Sequence, residues 1–419
     1  MSAGDTSGDG AASPAGPRGL AWLWALVAGA VLTQTALNLA RPVTSYHLLA
    51  LGASDVAVGL ATAAYALLPL LGALWLGRVT DRAPSAVPVV AAGALVLAAG
   101  GAGLALARDV AGVVAASAVL GLGHLAFTIA GQAAIARRAA AARLDAGFGW
   151  FTAAYSVGQM LGPLLGGRLV AGGGGAAPEV TAAALWWSVG IAAAGVVPVL
   201  ITPQARRRPP RPSANDAGPA VSRAGTPRAG AILARPGVRS AMGASLALLA
   251  VLDILTAFLP LVGERHGVGA GWVGVLLALR GAGSLVSRAL LPVVRRRFSR
   301  ELLLRIALLV SAAALAVVPS AVARPGLLPL AGAAMVVGGL TLGLGQPLTM
   351  SLISEAVPRS WRSTALAVRL MGNRLGQVVL PAAAGLVAAP LGPGAAVWCA
   401  CGVLAVSGVE RVVRDRRRP

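Results

Sequence analysis

The 419-residue chain contains no lysine, two cysteines and only three histidines. Without lysine it cannot form the G-x-x-x-x-G-K-[ST] loop with which many proteins bind nucleoside triphosphates. Cys399 and Cys401 stand two positions apart in an apolar run, so they face different sides of a helix and cannot form a disulfide with each other there. No cluster of histidine with Asp or Glu has metal-ligand spacing. We therefore expect no metal site, no cofactor and no enzymatic activity.

Acidic residues are also scarce: 14 stand against 35 arginines, which gives a net charge of +21. In a soluble protein this charge would indicate a nucleic-acid partner. Here the arginines form short clusters between long apolar runs, and only three tyrosines and five phenylalanines are available to stack on bases. Hydrophobic residues make up 57% of the chain before its 55 glycines are counted, so a soluble globule is excluded. The composition predicts a membrane protein that binds no nucleic acid.

Apolar runs long enough to cross a bilayer recur along the whole chain. A hydrocarbon core of ~30 Å requires about 20 apolar residues in a helix. Twelve runs reach this length, which predicts an all-α polytopic membrane protein. We expect its transmembrane helices near residues 20–49, 56–77, 86–107, 111–135, 147–170, 181–201, 238–262, 271–292, 301–322, 327–354, 363–388 and 394–410.

The arginines indicate how these helices are oriented. We number each connection by the span that precedes it. Of the 35 arginines, 27 lie in the segment before the first span, at the even-numbered connections with their adjoining helix ends, or in the segment after the last span. Four lie at the odd-numbered connections. By the positive-inside rule, both termini are expected in the cytoplasm. The use of arginine alone, with abundant alanine and glycine, is typical of a GC-rich bacterial genome. We therefore expect a multi-pass protein of the bacterial cytoplasmic (inner) membrane, and a monomer.

One long polar connection divides the chain. It is rich in Pro, Arg, Gly and Ser, and we expect a flexible linker. The N-terminal leader has the composition of a disordered segment and lacks the basic start of a signal peptide. The predicted units are a cytoplasmic leader (1–19), a six-helix half (20–202), a cytoplasmic linker (203–236), a second six-helix half (237–410) and a basic cytoplasmic tail (411–419).

The two halves echo each other in sequence. A shift of 218 residues places Gly158-Gln159 on Gly376-Gln377, and Pro163 on Pro381. Such matches indicate an internal repeat. Parallel six-helix repeats are the architecture of one large class of transporters.

Two motifs carry a family resemblance. The connection after the second span reads GRVTDR, from Gly77 to Arg82 and including Asp81, and the fifth span reads GQMLGPLLGG, from Gly158 to Gly167. In these motifs and over residues 20–410 the chain resembles the major facilitator superfamily. The second motif is similar to the pattern of that family's twelve-span, proton-coupled drug and metabolite exporters.

The resemblance implies roles for both motifs. It implies that Asp81, with Gly77 and Arg82, forms a gating loop that latches the halves together when the protein faces outward. It also implies close helix packing by Gly158, Gly162, Pro163, Gly166 and Gly167. The chain departs from the family where Ser117 stands in place of an arginine that is linked to proton coupling.

Polar side chains within the spans are candidates for a substrate pathway, because they are costly in lipid. Several recur at helical spacing and so share a helix face. The alternative is that some of them, such as His124 and Asn373, only bind neighbouring helices. The candidates are Gln34, Asn38, Arg41, His124, Gln132, Tyr155, Gln159, Asp253, Arg280, Arg369, Asn373, Arg374 and Gln377.

Asp253 is the acid that lies clearly inside a span. Counting 1.5 Å per residue places it within about one helical turn of the depth of Arg280, which predicts an Asp253–Arg280 ion pair. That pair is either fixed or opened by a proton or substrate, and Asp253 is the candidate proton carrier. With Arg41, Arg369 and Arg374, the arginines exceed the acid by three, so an anionic or neutral substrate is favoured over a cation.

These observations predict a secondary active transporter that moves a small organic molecule by alternating access, most simply an exporter driven by a proton gradient. The arginine surplus also permits an importer of small organic anions. A third alternative is a receptor that has the same fold but does not transport, since fold does not determine function.

Overall fold

The computed structural model describes residues 20–139, 144–201, 229–358 and 361–416, and it is almost entirely α-helical. Its helices begin and end close to the predicted spans, because apolar runs of this length form helices in lipid and polar turns end them. The predicted leader and most of the predicted linker lie outside the described residues. The helices are α1 (Ala21–Ala50), α2 (Asp55–Arg82), α3 (Val87–Leu106), α4 (Val110–Arg138), α5 (Leu144–Gly172), α6 (Pro178–Ala194), α7 (Val196–Ile201), α8 (Ala229–Leu233), α9 (Val238–Arg265), α10 (Ala270–Val294), α11 (Arg300–Val322), α12 (Leu328–Glu355), α13 (Arg362–Leu391) and α14 (Pro393–Arg416), with a 3₁₀ turn at Pro325–Leu327.

Eleven helical segments within the described residues are long and apolar enough to cross a membrane, and α6 and α7 together form one of them. The remaining long helix, α5, has 29 residues and packs between α1 and α10. Counting α5, twelve long helices cross the bundle. We call the side on which α1 begins, and on which α14 ends, the terminal side, and the other side the opposite side.

The helices form two six-helix halves, α1 to α7 and α9 to α14. Within the first half, α3 packs on α4 and α1 packs on α5 and α6; within the second, α11 packs on α12 and α14, and α9 on α14. The halves meet where α5 packs against α10, α2 against α13, and α1 against α9. The interface therefore contains α1 and α9, whose polar residues are the candidates named above.

The predicted linker contains one ordered element. Helix α8 (Ala229–Leu233) lies within residues 203–236, and its Ile232 is fully buried against Val238 and Ile353. The expectation of a flexible connection is therefore wrong for this part of the linker, because its alanine, isoleucine and leucine side chains can bury apolar surface.

Candidate functional site

Asp253 lies in the middle of α9, where it is 4% exposed. Its Oδ1 accepts a hydrogen bond from Arg41 Nη2 at 2.6 Å, and its Oδ2 accepts one from Gln377 Nε2 at 2.7 Å. Arg41 belongs to α1 and Gln377 to α13, so a single carboxylate joins the two halves and also fixes a third helix. A buried carboxylate is tolerated only when it is paired and hydrogen-bonded in this way.

The predicted partner of Asp253 is wrong. The ion pair forms with Arg41, whereas Arg280 stays close enough for an electrostatic interaction with both residues. Depth along the membrane, on which that prediction rests, does not determine which way a side chain points around its helix. Arg280 is 4% exposed, and its Nε has no hydrogen-bond partner among the described residues.

Arg374 binds Gln377, which is itself a partner of Asp253. Its Nη1 donates a hydrogen bond to Gln377 Oε1 at 3.2 Å, and its Nε is likewise without a partner within the described chain. Arg369, by contrast, donates to Gln346 Oε1 at 2.5 Å and Thr349 Oγ1 at 3.2 Å on α12. Arg369 therefore ties α13 to α12 within the second half. The charged residues at the centre, which we call the central group, are therefore Arg41, Arg280, Arg374 and Asp253. Their positive charge exceeds the negative charge by two, not by the predicted three.

An aromatic cluster from the first half lies beside these charges. The Tyr65 hydroxyl is 2.5 Å from His124 Nδ1, and Thr128 Oγ1 is 2.6 Å from the Tyr155 hydroxyl. The guanidinium of Arg41 lies 4.8 Å from the centre of the Tyr65 ring, a cation–π contact. Tyr65 is not among the predicted pathway residues, although the hydroxyl of a tyrosine within a span requires a hydrogen-bond partner.

The other predicted pathway residues contribute unequally. Gln34 is buried with an unpartnered Nε2 and interacts with Tyr155, so it belongs to the aromatic cluster beside the central group. Asn38 donates to the carbonyl of Gln34 in its own helix at 2.8 Å, which is a local role. Asn373 is buried, Gln159 is partly buried, and Gln132 is exposed one turn beyond Thr128.

A narrow cleft with a volume of about 20 Å³ extends from Arg41 toward the opposite side. Polar atoms reach it from α1, α2, α4 and α9. It is lined by Arg41, Thr44, Thr62, Tyr65, Ser117 and Thr256, among others. Ser117 is the residue that stands where the resemblance implied an arginine, and its small side chain leaves this part of the cleft without a further cation.

The glycine motif of α5 packs against two different helices. A Cβ at Gly158 or Gly162 would lie 2.4 or 2.7 Å from the Cβ of Gln34 or Asn38 on α1. A Cβ at Gly167 would lie 2.5 Å from the carbonyl oxygen of Ala270 on α10, in the other half. Gly166 approaches α1, and the carbonyl of Pro163 approaches α10. The motif thus brings α5 close to one helix of each half.

The opposite side of the interface is closed. Arg265 Nη2 lies 2.7 Å from Asp55 Oδ2, and the Asp55 side chain is 6% exposed. A Cβ at Gly59 would lie 2.9 Å from the Cα of Gly385, which shows that α2 and α13 touch at backbone level. The sequence did not predict this ion pair. The sequence feature that could have indicated this pair is that Arg265 is one of the few arginines on that side.

Arg288 forms a third polar contact between the halves, because its Nη1 donates to Ser156 Oγ on α5 at 2.9 Å. It also interacts electrostatically with Arg280. Arg288 lies inside α10, in the half of the helix nearer the terminal side.

The gating loop is exposed in this conformation. The Asp81 side chain is 82% exposed, and its Oδ1 lies 3.8 Å from Arg137 Nη2 of the same half. Arg137 instead binds the end of α2, donating to the carbonyls of Thr80 at 2.6 Å and Ala83 at 3.0 Å. The predicted latch, which would join Asp81 to the other half, therefore stays a prediction.

The profile of the Major Facilitator Superfamily matches residues 26–334, about three quarters of the chain. The chain therefore belongs to this superfamily and is a membrane transporter, not an enzyme. No curated protein matches it in sequence.

Solved structures share the fold. The nucleoside transporter NupG superposes with a TM-score of 0.71 at 14% identity, over 96% of this chain and 100% of that chain. A POT family transporter in complex with 5-aminolevulinic acid gives 0.73 at 12%, over 94% and 96%. A bacterial homologue of the human lysosomal transporter Spinster, inward-facing and unoccupied, gives 0.70 at 17%, over 96% and 95%.

Proposed function

We propose that this superfamily member is a secondary active transporter of the bacterial cytoplasmic membrane that moves a small organic anion together with a proton. The observation that carries the proposal is Asp253, a buried carboxylate that binds Arg41 of the other half and Gln377. A transporter of this fold works by moving one half against the other around a central site. A contact across that interface must open in each cycle.

The excess of arginine supports an anionic substrate. Arg280 and Arg374 lie beside the pair, and each has an unpartnered Nε. A substrate carboxylate or phosphate can accept charge-assisted hydrogen bonds from guanidinium groups of this kind. A cationic substrate would meet two uncompensated positive charges at the same place.

The same charges link substrate binding to a proton. Protonation of Asp253 removes its negative charge and frees Arg41, so the site becomes more positive by one unit and binds an anion more tightly. By thermodynamic reciprocity, the anion then favours the protonated site. Two ligands that strengthen each other's binding travel in the same direction, which supports the importer that the sequence left as an alternative.

Export by proton exchange is the second candidate, and the glycine–proline motif of α5 favours it. Exchange requires that proton and substrate compete for one site. A neutral or cationic substrate that donates to Asp253 would meet this requirement, whereas an anion would not.

We place both termini in the cytoplasm on the arginine distribution. The side closed by the Asp55–Arg265 pair is then the outer side. The structural neighbours, which include a nucleoside transporter and a POT family transporter with 5-aminolevulinic acid, support a small organic substrate without identifying it.

The test compares metabolites in cells and in their medium when they express the wild type, Asp253→Asn or the control Asp109→Asn. Asp109 is an exposed helix cap that accepts from Gly112 N at 2.7 Å, and asparagine caps equally well. We expect one or a few organic anions to accumulate inside cells with the wild type and the control, and to stay outside with Asp253→Asn.

Purified protein in vesicles then tests the coupling. A pH gradient, alkaline inside, should drive uptake of the accumulated anion, and its dissipation should abolish uptake. Accumulation in the medium, or uptake driven by the reverse gradient, would support the exporter. Equal profiles for all three chains would contradict transport through Asp253.

A further inference from the structure

A separate cavity lies on the terminal side of the second half, where α9 and α11 begin and α12 and α14 end. Its volume is about 80 Å³, and Ser240, Glu301, Leu352, Arg411 and Arg414 line it. Ser240 stands 13 residues before Asp253 on α9, which is about 20 Å along the helix. The cavity is therefore distinct from the central site.

Two buried side chains in this cavity have polar atoms without partners among the described residues. Arg411 is 6% exposed; its Nη1 donates to Glu301 Oε2 at 2.6 Å, but its Nε is unpartnered. Ser240 is 4% exposed, and its Oγ is unpartnered. Buried polar atoms usually have a partner, and both of these residues line the cavity, so a ligand held there can supply polar contacts that the described residues do not.

The charges around the cavity favour an anion. Two arginines line it against one glutamate. The first turn of α9 also lines it, and no side chain caps that helix, which begins after Gly237. The free N–H groups of a helix N-terminus and its dipole attract negative charge.

The first half shows that the fold does not require this polar lining. At the equivalent place, where α1 and α3 begin and α4 and α7 end, a cavity of only about 20 Å³ is lined by Trp22, Leu26, Val90 and Arg138, among others. Trp22 precedes Ser240 by 218 residues, the shift of the internal repeat. Arg138 lies 5.6 Å from the centre of the Trp22 ring, so the first half fills this place with apolar side chains and a stacked arginine.

We propose that the cavity of the second half binds a phosphate group, held by Arg411, Arg414, Ser240 Oγ and the first turn of α9. The phosphate belongs to the headgroup of an anionic phospholipid or to inorganic phosphate. Both offer the same oxygen atoms to guanidinium groups, and the cavity lies at the end of the bundle, where both are available.

The test uses the purified full-length protein in two settings. In nanodiscs of phosphatidylcholine, with and without phosphatidylglycerol, the thermal midpoint and the lipid retained in native mass spectrometry are measured. In detergent, the midpoint is measured with inorganic phosphate against chloride at equal ionic strength. The variants are Arg414→Gln and Ser240→Ala.

The matched control is Ser245→Ala. Ser245 is a fully buried serine on the same helix, its Oγ is also unpartnered, and it does not line the cavity. We expect the phosphate-bearing ligand to raise the midpoint of the wild type and of Ser245→Ala. Arg414→Gln should require about tenfold more ligand for the same rise, because a charge-assisted hydrogen bond is lost, and Ser240→Ala a few-fold more.

Stabilisation by phosphatidylglycerol alone would identify a lipid headgroup as the source, and stabilisation by inorganic phosphate alone would identify the free ion. No stabilisation by either would overturn the proposal. Equal ligand responses in Ser240→Ala, Arg414→Gln and Ser245→Ala would overturn it as well. None of these measurements depends on transport, so the outcome is independent of the proposed function.

Discussion

The ion pairs within the second half and those between the halves hold different parts of the molecule together. Arg411 binds Glu301 and Arg300 binds Glu355, and both pairs join helix ends on the terminal side. Between the halves, Arg41 binds Asp253 in the middle of the membrane, and Arg265 binds Asp55 on the opposite side. The first kind can persist while the halves move as units, whereas the second kind must break and form again.

This difference indicates which contacts determine the conformational state of the transporter. The pairs inside a half stabilise a unit that stays intact, and their removal should change stability alone. The pairs between halves set the relative stability of the two states of the transporter, so their removal should change the populations of those states. Single and double variants at the two kinds of pair separate these roles.

Arg41→Gln should have the largest effect. It leaves the Asp253 carboxylate buried without its charged partner, which costs about 3–5 kcal/mol of stability. The double variant Arg41→Gln with Asp253→Asn should recover most of the loss in thermal stability while transport stays absent. Thermal unfolding in detergent and vesicle uptake measure the two quantities. If the double variant is as unstable as Arg41→Gln, the pair does not control stability.

Gly167→Ala should come second. Its Cβ would lie 2.5 Å from the carbonyl oxygen of Ala270, across the interface, so the halves cannot close as tightly on the opposite side. Overpacking of this kind costs about 1–3 kcal/mol, which would disfavour the state seen here about 5- to 150-fold. We expect transport to fall accordingly while expression stays normal.

The control for this variant is Gly172→Ala, on the same helix. Nothing lies within 4 Å of a Cβ placed there. Normal transport by Gly172→Ala beside impaired transport by Gly167→Ala would locate the effect at the interface. Similar impairment of both would instead indicate a general loss of helix flexibility.

The Asp55–Arg265 pair should give a smaller effect, because the Arg265 side chain is 48% exposed. Pairs of this exposure contribute about 1 kcal/mol or less. Asp55→Asn and Arg265→Gln should each lower the transport rate a few-fold, and the double variant should be no slower than either, since all three lack the same contact. Additive losses in the double variant would show that the residues act independently.

The fold could be predicted from the sequence because lipid imposes long apolar helices and the internal repeat fixes the two halves. The bounds of α9 and α10, predicted at 238–262 and 271–292, differ from the observed ones by at most three residues. The partner of Asp253 could not be predicted in this way. Counting residues gives the depth of Arg41 and Arg280, but only the rotation and neighbours of each helix decide which guanidinium reaches the acid.

The contacts of Arg137 and Arg265 show the same limit. Arg137 was counted as a positive charge on the terminal side, yet it binds two carbonyls at the end of α2. Arg265 was counted on the opposite side, yet it binds Asp55 of the other half. Composition predicts on which side such residues lie, and their partners depend on tertiary packing.

Asp81→Asn should have the smallest effect on stability. Its side chain is 82% exposed and 3.8 Å from Arg137, and exposed substitutions change stability by about 0.5 kcal/mol or less. The resemblance nevertheless predicts slower transport, because Asp81 would latch the two halves together in the outward-facing state. Arg137→Gln provides the contrast, since it removes two hydrogen bonds to α2 within one half and should lower thermal stability more than Asp81→Asn does. Wild-type uptake by Asp81→Asn would leave this acid as a solvated surface residue, and the control of the cycle would then lie with the pairs at Asp253 and Asp55.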